Sequence, residues 1–303
     1  VNILPLFYDT IGYDKKSKSA KKEGSPMGRK DGKRCRKIDN MYTIVPYIMV
    51  KRSDACNSIT VRIPYKPMHE YILKQRKNGV NLSHMALVIA AYVRTVSQYP
   101  ELNRFVVNRK VYAHNDLAVG MVVQRADGAE STMSKMYFER EDTLFDVNRK
   151  IMEFVDGNRE ENTNSTDALM DKLVHIPGLL RVGVGILKWL DQRGWLPRSI
   201  IQASPFHCSM VISNLASIRT NHIYHHIYDF GTISQIITMG NMQDVARLRG
   251  DRLELERQIP LGIVCDERIA SGYGYAKAFH MMKDLLAHPE KMEQPPKEVF
   301  CDA

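Results

Sequence analysis

A chain of 303 residues, 44% of them hydrophobic, can bury a sizeable core as one large domain or two small ones. Its five cysteines (Cys35, Cys56, Cys208, Cys265 and Cys301) are odd in number and form no C-x-x-C pair, which argues against a disulfide framework or zinc ribbon and for small buried hydrophobes in a reduced, cytoplasmic compartment. The net charge of +9 is uneven, because residues 1–37 carry eleven Lys/Arg against four Asp/Glu and leave a nearly neutral body without an aromatic-plus-basic RNA motif.

Taken in chain order, Lys15–Lys37 is too poor in apolar residues to offset its ordering entropy, and it reads as a flexible basic arm. The expected division is therefore an arm over 1–37 and one folded domain over 38–303. No apolar leader reads as a secretory signal. Thr43–Met49 and Ser58–Ile63 are rich in β-branched and aromatic residues and predict strands. Lys66–Asn78 predicts a helix stopped by Gly79. A second helix over Leu82–Tyr99 has Ser83 as its cap and Pro100 as its end. Val106–Val107, Val111–Tyr112 and Leu117–Val123 predict strands, and Asp142–Val155 a helix beginning near Thr143. The polar stretch Gly157–Asp167 predicts a loop.

Leu173–Leu190 is the most apolar run, but Arg181 and Lys188 interrupt it. Charges at bilayer depth are costly, so a helix packed on the body or lying against a membrane surface is expected rather than a span, and recruitment to an anionic membrane surface would run through the basic arm together with this run. Gly183-Val-Gly185 lacks the third glycine and the preceding strand of a dinucleotide loop, and no GxxxxGK[ST] occurs. Ser209–Asn214, Ser234–Gly240 and Leu261–Asp266 predict strands. Tyr273–Ala287 predicts a helix with Ala276, Phe279, Met282 and Leu286 on one face, closed by Pro289.

Four segments in order carry a resemblance. Pro100-Glu-Leu-Asn-Arg-Phe105 follows a long helix, Met210-Val-Ile-Ser-Asn-Leu215 is a serine-bearing strand, and Thr238-Met-Gly240 ends the next. Val264-Cys-Asp-Glu-Arg-Ile-Ala-Ser-Gly272 precedes a helix that ends at His288-Pro-Glu290. Together, over roughly residues 40–292, they resemble the chloramphenicol acetyltransferase and dihydrolipoamide acyltransferase superfamily, most closely its freestanding bacterial members. No lipoyl or peripheral-subunit-binding domain is recognised ahead of the core. The resemblance implies an α/β fold, a two-layer sandwich with a mixed β-sheet, assembled as a homotrimer with sites between subunits. It also implies acyl-CoA or coenzyme A as substrate, with no metal and no lipoyl group on this chain, and a small or lipidic thiol, hydroxyl or amine acceptor. No nucleic-acid partner is implied.

In that superfamily a histidine takes the acceptor's proton and a serine hydroxyl donates to the oxyanion of the tetrahedral intermediate. Carried over, the serine is Ser213. The histidine's position holds Glu267, the supporting aspartate's position holds Ser271, and Gly272 keeps the glycine expected to permit the strand-to-helix turn. Glu267 reaches about as far as an imidazole, but an unperturbed Glu titrates near ~4.3 and is a weak base. A catalytically degenerate scaffold that keeps the trimer is the competing reading, as is a substitute base among His207, His225 and His226. A zinc set of His222, His225 and His226 lacks the HExxH pattern and a cysteine partner. Asp266 and Arg268 read as a local structural ion pair.

Overall fold

The computed structural model describes residues 14–15, 29–123, 132–160 and 179–302. Its main sheet has seven strands: β3 (Cys56–Pro64), β6 (Leu117–Val123), β7 (Thr132–Phe138), β8 (Met210–Asn214), β9 (Gln235–Met239), β10 (Gln243–Arg249) and β11 (Arg252–Asp266). The path runs β10-β11-β9-β8-β6-β7, and β3 pairs with the second half of β11. β6, β8 and β9 are parallel neighbours while every other pairing is antiparallel, so the sheet is mixed. A three-stranded sheet joins β2 (Gly32–Arg34), β5 (Lys110–His114) and β4 (Arg104–Val107). Asp14–Lys15 (β1) pairs with Phe300–Cys301 (β12).

Alternation along the strands divides the sheet into two faces. Met210 and Ile212, Ile237 and Met239, and Leu261, Ile263 and Cys265 point into the main core. There they meet helices α2 (Tyr65–Lys77), α3 (His84–Gln98), α4 (Leu144–Glu160) and α7 (Gly272–Ala287). α3 is buried from Ala86 to Ser97, packed against α2, α4, α7 and the turn after α7; Ser83 caps it by accepting from the Ala86 N–H at 3.0 Å. The intervening residues Ala118, Val211, Ile236 and Val264 form a smaller cluster on the second face. Among the described residues no helix contributes a side chain to that cluster. The loop residues Ile227 and Ile233 close it instead.

Several expectations change. Thr43–Met49 lies in a helix, α1 (Asn40–Ile48), not a strand. Asp39 caps it by accepting from the Met41 N–H at 2.8 Å, and the buried Arg268 guanidinium holds the carbonyls of Met49 and Val50 just past its end. Local capping and a distant cation thus override β propensity. Residues 157–160 continue α4, and 161–167 lie outside the described residues. On α7 the buried face uses Tyr275 and Ala278 rather than Ala276.

The basic arm also ends earlier than residue 37. From Arg29 onward the chain is held by the body. The Arg29 guanidinium donates to Asp31 at 2.9 and 2.7 Å and to the Asp191 carboxylate at 2.7 Å, and stacks over Phe105 and Tyr112. Gly32–Arg34 then pairs with β5, and Cys35 is in the core. Apart from Asp14–Lys15, residues 1–28 lie outside the described residues.

His114, also in this corner, is buried, and desolvation lowers its pKa to about 4. Its Nε2 contacts the Thr232 carbonyl at 3.3 Å. Folding holds this imidazole neutral, whereas the unfolded chain binds the proton near ~6.5. Stability from His114 is therefore present above pH ~6.5 and falls as pH drops toward 4, by roughly 3 kcal/mol in all. Urea unfolding between pH 7 and 4 should show wild type losing about that much more stability than His114→Gln.

Candidate active site

Ser213 sits near the C-terminal end of β8, on the second face and half-buried. Strand register places it in a row across four strands, Ser213 beside Thr238, Thr238 beside Gly262 and Gly262 beside Thr60. Its hydroxyl makes no hydrogen bond among the described residues, so it is available to a ligand.

The segment after β8 folds back over this row. Thr238 Oγ1 donates to the Ile223 carbonyl at 2.5 Å and lies 3.1 Å from the Ile223 N–H. Thr60 Oγ1 contacts His222 Nε2 at 3.2 Å and also the Tyr224 hydroxyl. Two glycines permit so close an approach. A Cβ on Gly262 would lie 2.4 Å from the Ile223 carbonyl oxygen, and one on Gly240 would lie 2.3 Å from the His222 nitrogen. The His222 ring therefore lies two strands from Ser213, roughly 10 Å at ordinary strand spacing. Its Nδ1 is buried without a hydrogen-bond partner.

His222 is the histidine that lies over Ser213's row. The sequence contained the glycines but not the fact that they sit beneath His222. His225 and His226 stack on one another at 4.6 Å and against Tyr228, whose carbonyl accepts from Arg52. They thus belong to the other end of the loop. His207 precedes β8 at the end of that strand away from Ser213. It is buried, with Nδ1 2.8 Å from Ser204 Oγ and Nε2 3.4 Å from Asp191 Oδ1. Burial alone would raise the Asp191 carboxyl, but His207 and Arg29 outweigh it and hold it below the usual range. His207 is thus part of a structural polar cluster and not a base for this face. Among the described residues, Asp31, Asp191 and His207 are the metal-ligand types that converge. Arg29 already occupies the carboxylates of that trio.

Glu267 lies in the turn after β11, half-buried, with its N–H donating to the Ala55 carbonyl at 2.8 Å. Its carboxylate has no hydrogen-bond or ion-pair partner among the described residues. A buried frame supports this turn. Arg268 clamps Asp266 at 2.8 and 2.7 Å, Arg52 approaches the same carboxylate at 3.8 Å, and Tyr275 donates to the Asp266 carbonyl at 2.8 Å. The Asp266–Arg268 pair is thus structural, as the sequence suggested. Ser271 supports no base. It is the exposed N-cap of α7, accepting from the Gly274 N–H at 3.1 Å while its own N–H donates to the Tyr42 hydroxyl at 2.7 Å. Gly272 is not required sterically, because a Cβ there would meet nothing within 4 Å and its φ is not positive.

One chain does not bring the two halves together. β11 runs antiparallel to β9, with Gly262 level with Ser213's row and Cys265 level with Gln235 at the opposite end. Glu267 lies beyond that end, on the order of 15–20 Å from Ser213 along and across the sheet.

No protein-family model and no curated protein matches the chain in sequence. Solved structures do match. A dihydrolipoamide acetyltransferase of Azotobacter vinelandii, whose catalytic mechanism has been investigated at a serine, a histidine and an asparagine, has a TM-score of 0.55 at 14% identity, covering 78% of this chain and 83% of its own. The cubic core of a pyruvate dehydrogenase multienzyme complex has a TM-score of 0.54 at 14% identity, covering 96% and 99%. This chain has the fold of the chloramphenicol acetyltransferase superfamily. A chloramphenicol acetyltransferase itself matches with a TM-score of 0.50 at 10% identity, over 82% of this chain and 95% of that one. Two of these neighbours are acetyltransferases, and at 10–14% identity the likeness is one of fold.

Proposed function

We propose that this chain is a CoA-dependent acyltransferase whose site is completed between copies of a homotrimer. The observation that carries the reading is the position of Ser213, on the face of an acyltransferase-fold sheet with its hydroxyl unengaged. In this reading, Ser213 Oγ donates to the oxyanion formed when an acceptor thiol, hydroxyl or amine attacks the thioester carbonyl. Glu267 of a second copy takes the acceptor's proton; the tetrahedral intermediate then collapses with cleavage of the carbon–sulfur bond, and the same proton passes from Glu267 to the departing coenzyme A thiolate.

Two exposed apolar surfaces support assembly. α1 presents Met41, Ile44 and Ile48, and its Tyr42 hydroxyl holds Ser271, four residues from Glu267. The β10–β11 hairpin turns at Gly250, whose φ is +61°, and exposes Leu248, Leu253 and Leu255 on one face. Apolar surface grouped in this way marks contact sites.

The unsupported carboxylate of Glu267 beside a capping Ser271 favours a second reading, a trimeric scaffold without turnover. Mass measurement of acyl transfer from a panel of acyl-CoAs to thiol, hydroxyl and amine acceptors separates the two. Transfer above the uncatalysed rate that is lost in Ser213→Ala supports the enzyme. Absence of both acyl-CoA binding and consumption leaves the scaffold.

A further inference from the structure

We propose that helix α5 (Leu179–Arg193), with the turn that follows it, is a docking surface for an anionic lipid membrane. The helix is tied to the body near its C-terminal end, where Asp191 turns inward to Arg29 and Leu196 is buried just ahead of α6 (Arg198–Ala203). Its inward residues Val184, Leu187 and Leu190 are only half-buried. Val182, Ile186 and Trp189, spaced at i, i+4 and i+7, form an outward stripe with exposures of 59%, 53% and 48%, and Trp195 beside them is 56% exposed. This is a nearly continuous apolar element left facing solvent.

Its charges select the occupant. Between residues 181 and 198 the sole acid is Asp191, buried and neutralised by Arg29, while Arg181, Lys188, Arg193 and Arg198 are exposed. Every charge presented outward is positive. Arg193 lies over both indoles, 5.1 Å from the Trp189 centroid and 5.9 Å from that of Trp195, and the two rings meet edge-on at 5.4 Å. Indoles with guanidinium heads suit the boundary between acyl chains and headgroups, where one end is apolar and the other wet. A second copy of the same surface is disfavoured, since it would oppose like charges. The β10–β11 hairpin differs here, with its Arg247–Glu256, Arg249–Glu254 and Asp244–Arg257 pairs. Among the described residues no helix is long and apolar enough to cross a bilayer, so α5 lies on the surface.

The chain's two tryptophans are both on this element, so selectively excited tryptophan fluorescence reports on it alone. Full-length protein titrated with phosphatidylserine–phosphatidylcholine vesicles should show a blue shift and co-sediment with them. Pure phosphatidylcholine vesicles should give little of either, and high salt should release the protein. Ile186→Glu, or Arg181→Glu with Lys188→Glu, should lower partitioning by on the order of tenfold or more, with circular dichroism unchanged because these side chains are exposed. No shift with anionic vesicles, or an equal shift with neutral ones, overturns the proposal. So does a shift that grows with protein concentration in the absence of lipid, which assigns the surface to a second copy. None of these readouts depends on acyl transfer.

Discussion

Mixing Ser213→Ala copies with Glu267→Gln copies is expected to recover turnover that neither variant has alone. Ser213→Ala removes a donor aimed at the developing oxyanion, for a loss of up to ~10²–10³-fold. Glu267→Gln keeps size and polarity but removes the proton acceptor, for a loss of roughly 10²–10⁴-fold with little change in acyl-CoA binding. The register of β8, β9 and β11 holds these residues at opposite ends of one sheet, so a working pair must come from two chains. In randomly reassembled trimers at equal ratio, about a quarter of the sites join an intact serine to an intact carboxylate. Unfolding and refolding the mixture, then assaying against each homotrimer, checks this. If Glu267→Gln alone matches wild type, the base lies elsewhere, and His222→Gln becomes the decisive variant because His222 shares the row of Ser213. If the mixture stays dead while wild type is active, the two residues do not serve one site.

Asp266→Asn is expected to cost about 3–5 kcal/mol of stability, because it leaves buried positive charge without its counterion. The Asp266 side chain is fully buried, as nearly are those of Arg268 and Arg52 around it. The two guanidiniums also hold backbone carbonyls of Met49, Val50, Val106, Tyr228 and Gly231. Those contacts knit α1, β4 and the loop before β9 to the turn bearing Glu267. Removing the carboxylate therefore loosens the candidate base as well as the fold. Urea unfolding of Asp266→Asn against wild type measures the first effect. A loss under ~1 kcal/mol contradicts the frame described here. Disrupting the exposed Arg257–Asp244 pair should, by contrast, change stability little.

Much of the layout was legible where local chemistry is strong. Ser83, Pro100 and Gly79 marked helix ends, and alternation or apolar runs marked β3, β6, β8 and β9. Gly250-Asp251 between alternating residues is a hairpin signature, and it marks the turn between β10 and β11. α1 departs from its local propensity because its β-branched residues favour a strand while Asp39 and a cation more than two hundred residues away favour a helix. The arm's true edge was hidden for the same reason. Arg29 looks like one more solvated base until Asp191 is brought beside it.

The candidate site divides along that line. Sequence by itself determined the serine strand, the turn that carries Glu267 and the Asp266–Arg268 pair, since each is a feature of contiguous residues. Tertiary structure decided what those residues face. It set Ser213 level with Thr238, Gly262 and Thr60, laid His222 over two glycines, turned His207 into a buried ion cluster and reduced Ser271 to a cap. Those outcomes depend on strand register and long-range charge pairing, and a one-residue slip in register would turn every side chain to the other face. For that reason the separation of Ser213 from Glu267 emerged only when the antiparallel β11 was set against the parallel pair β8 and β9.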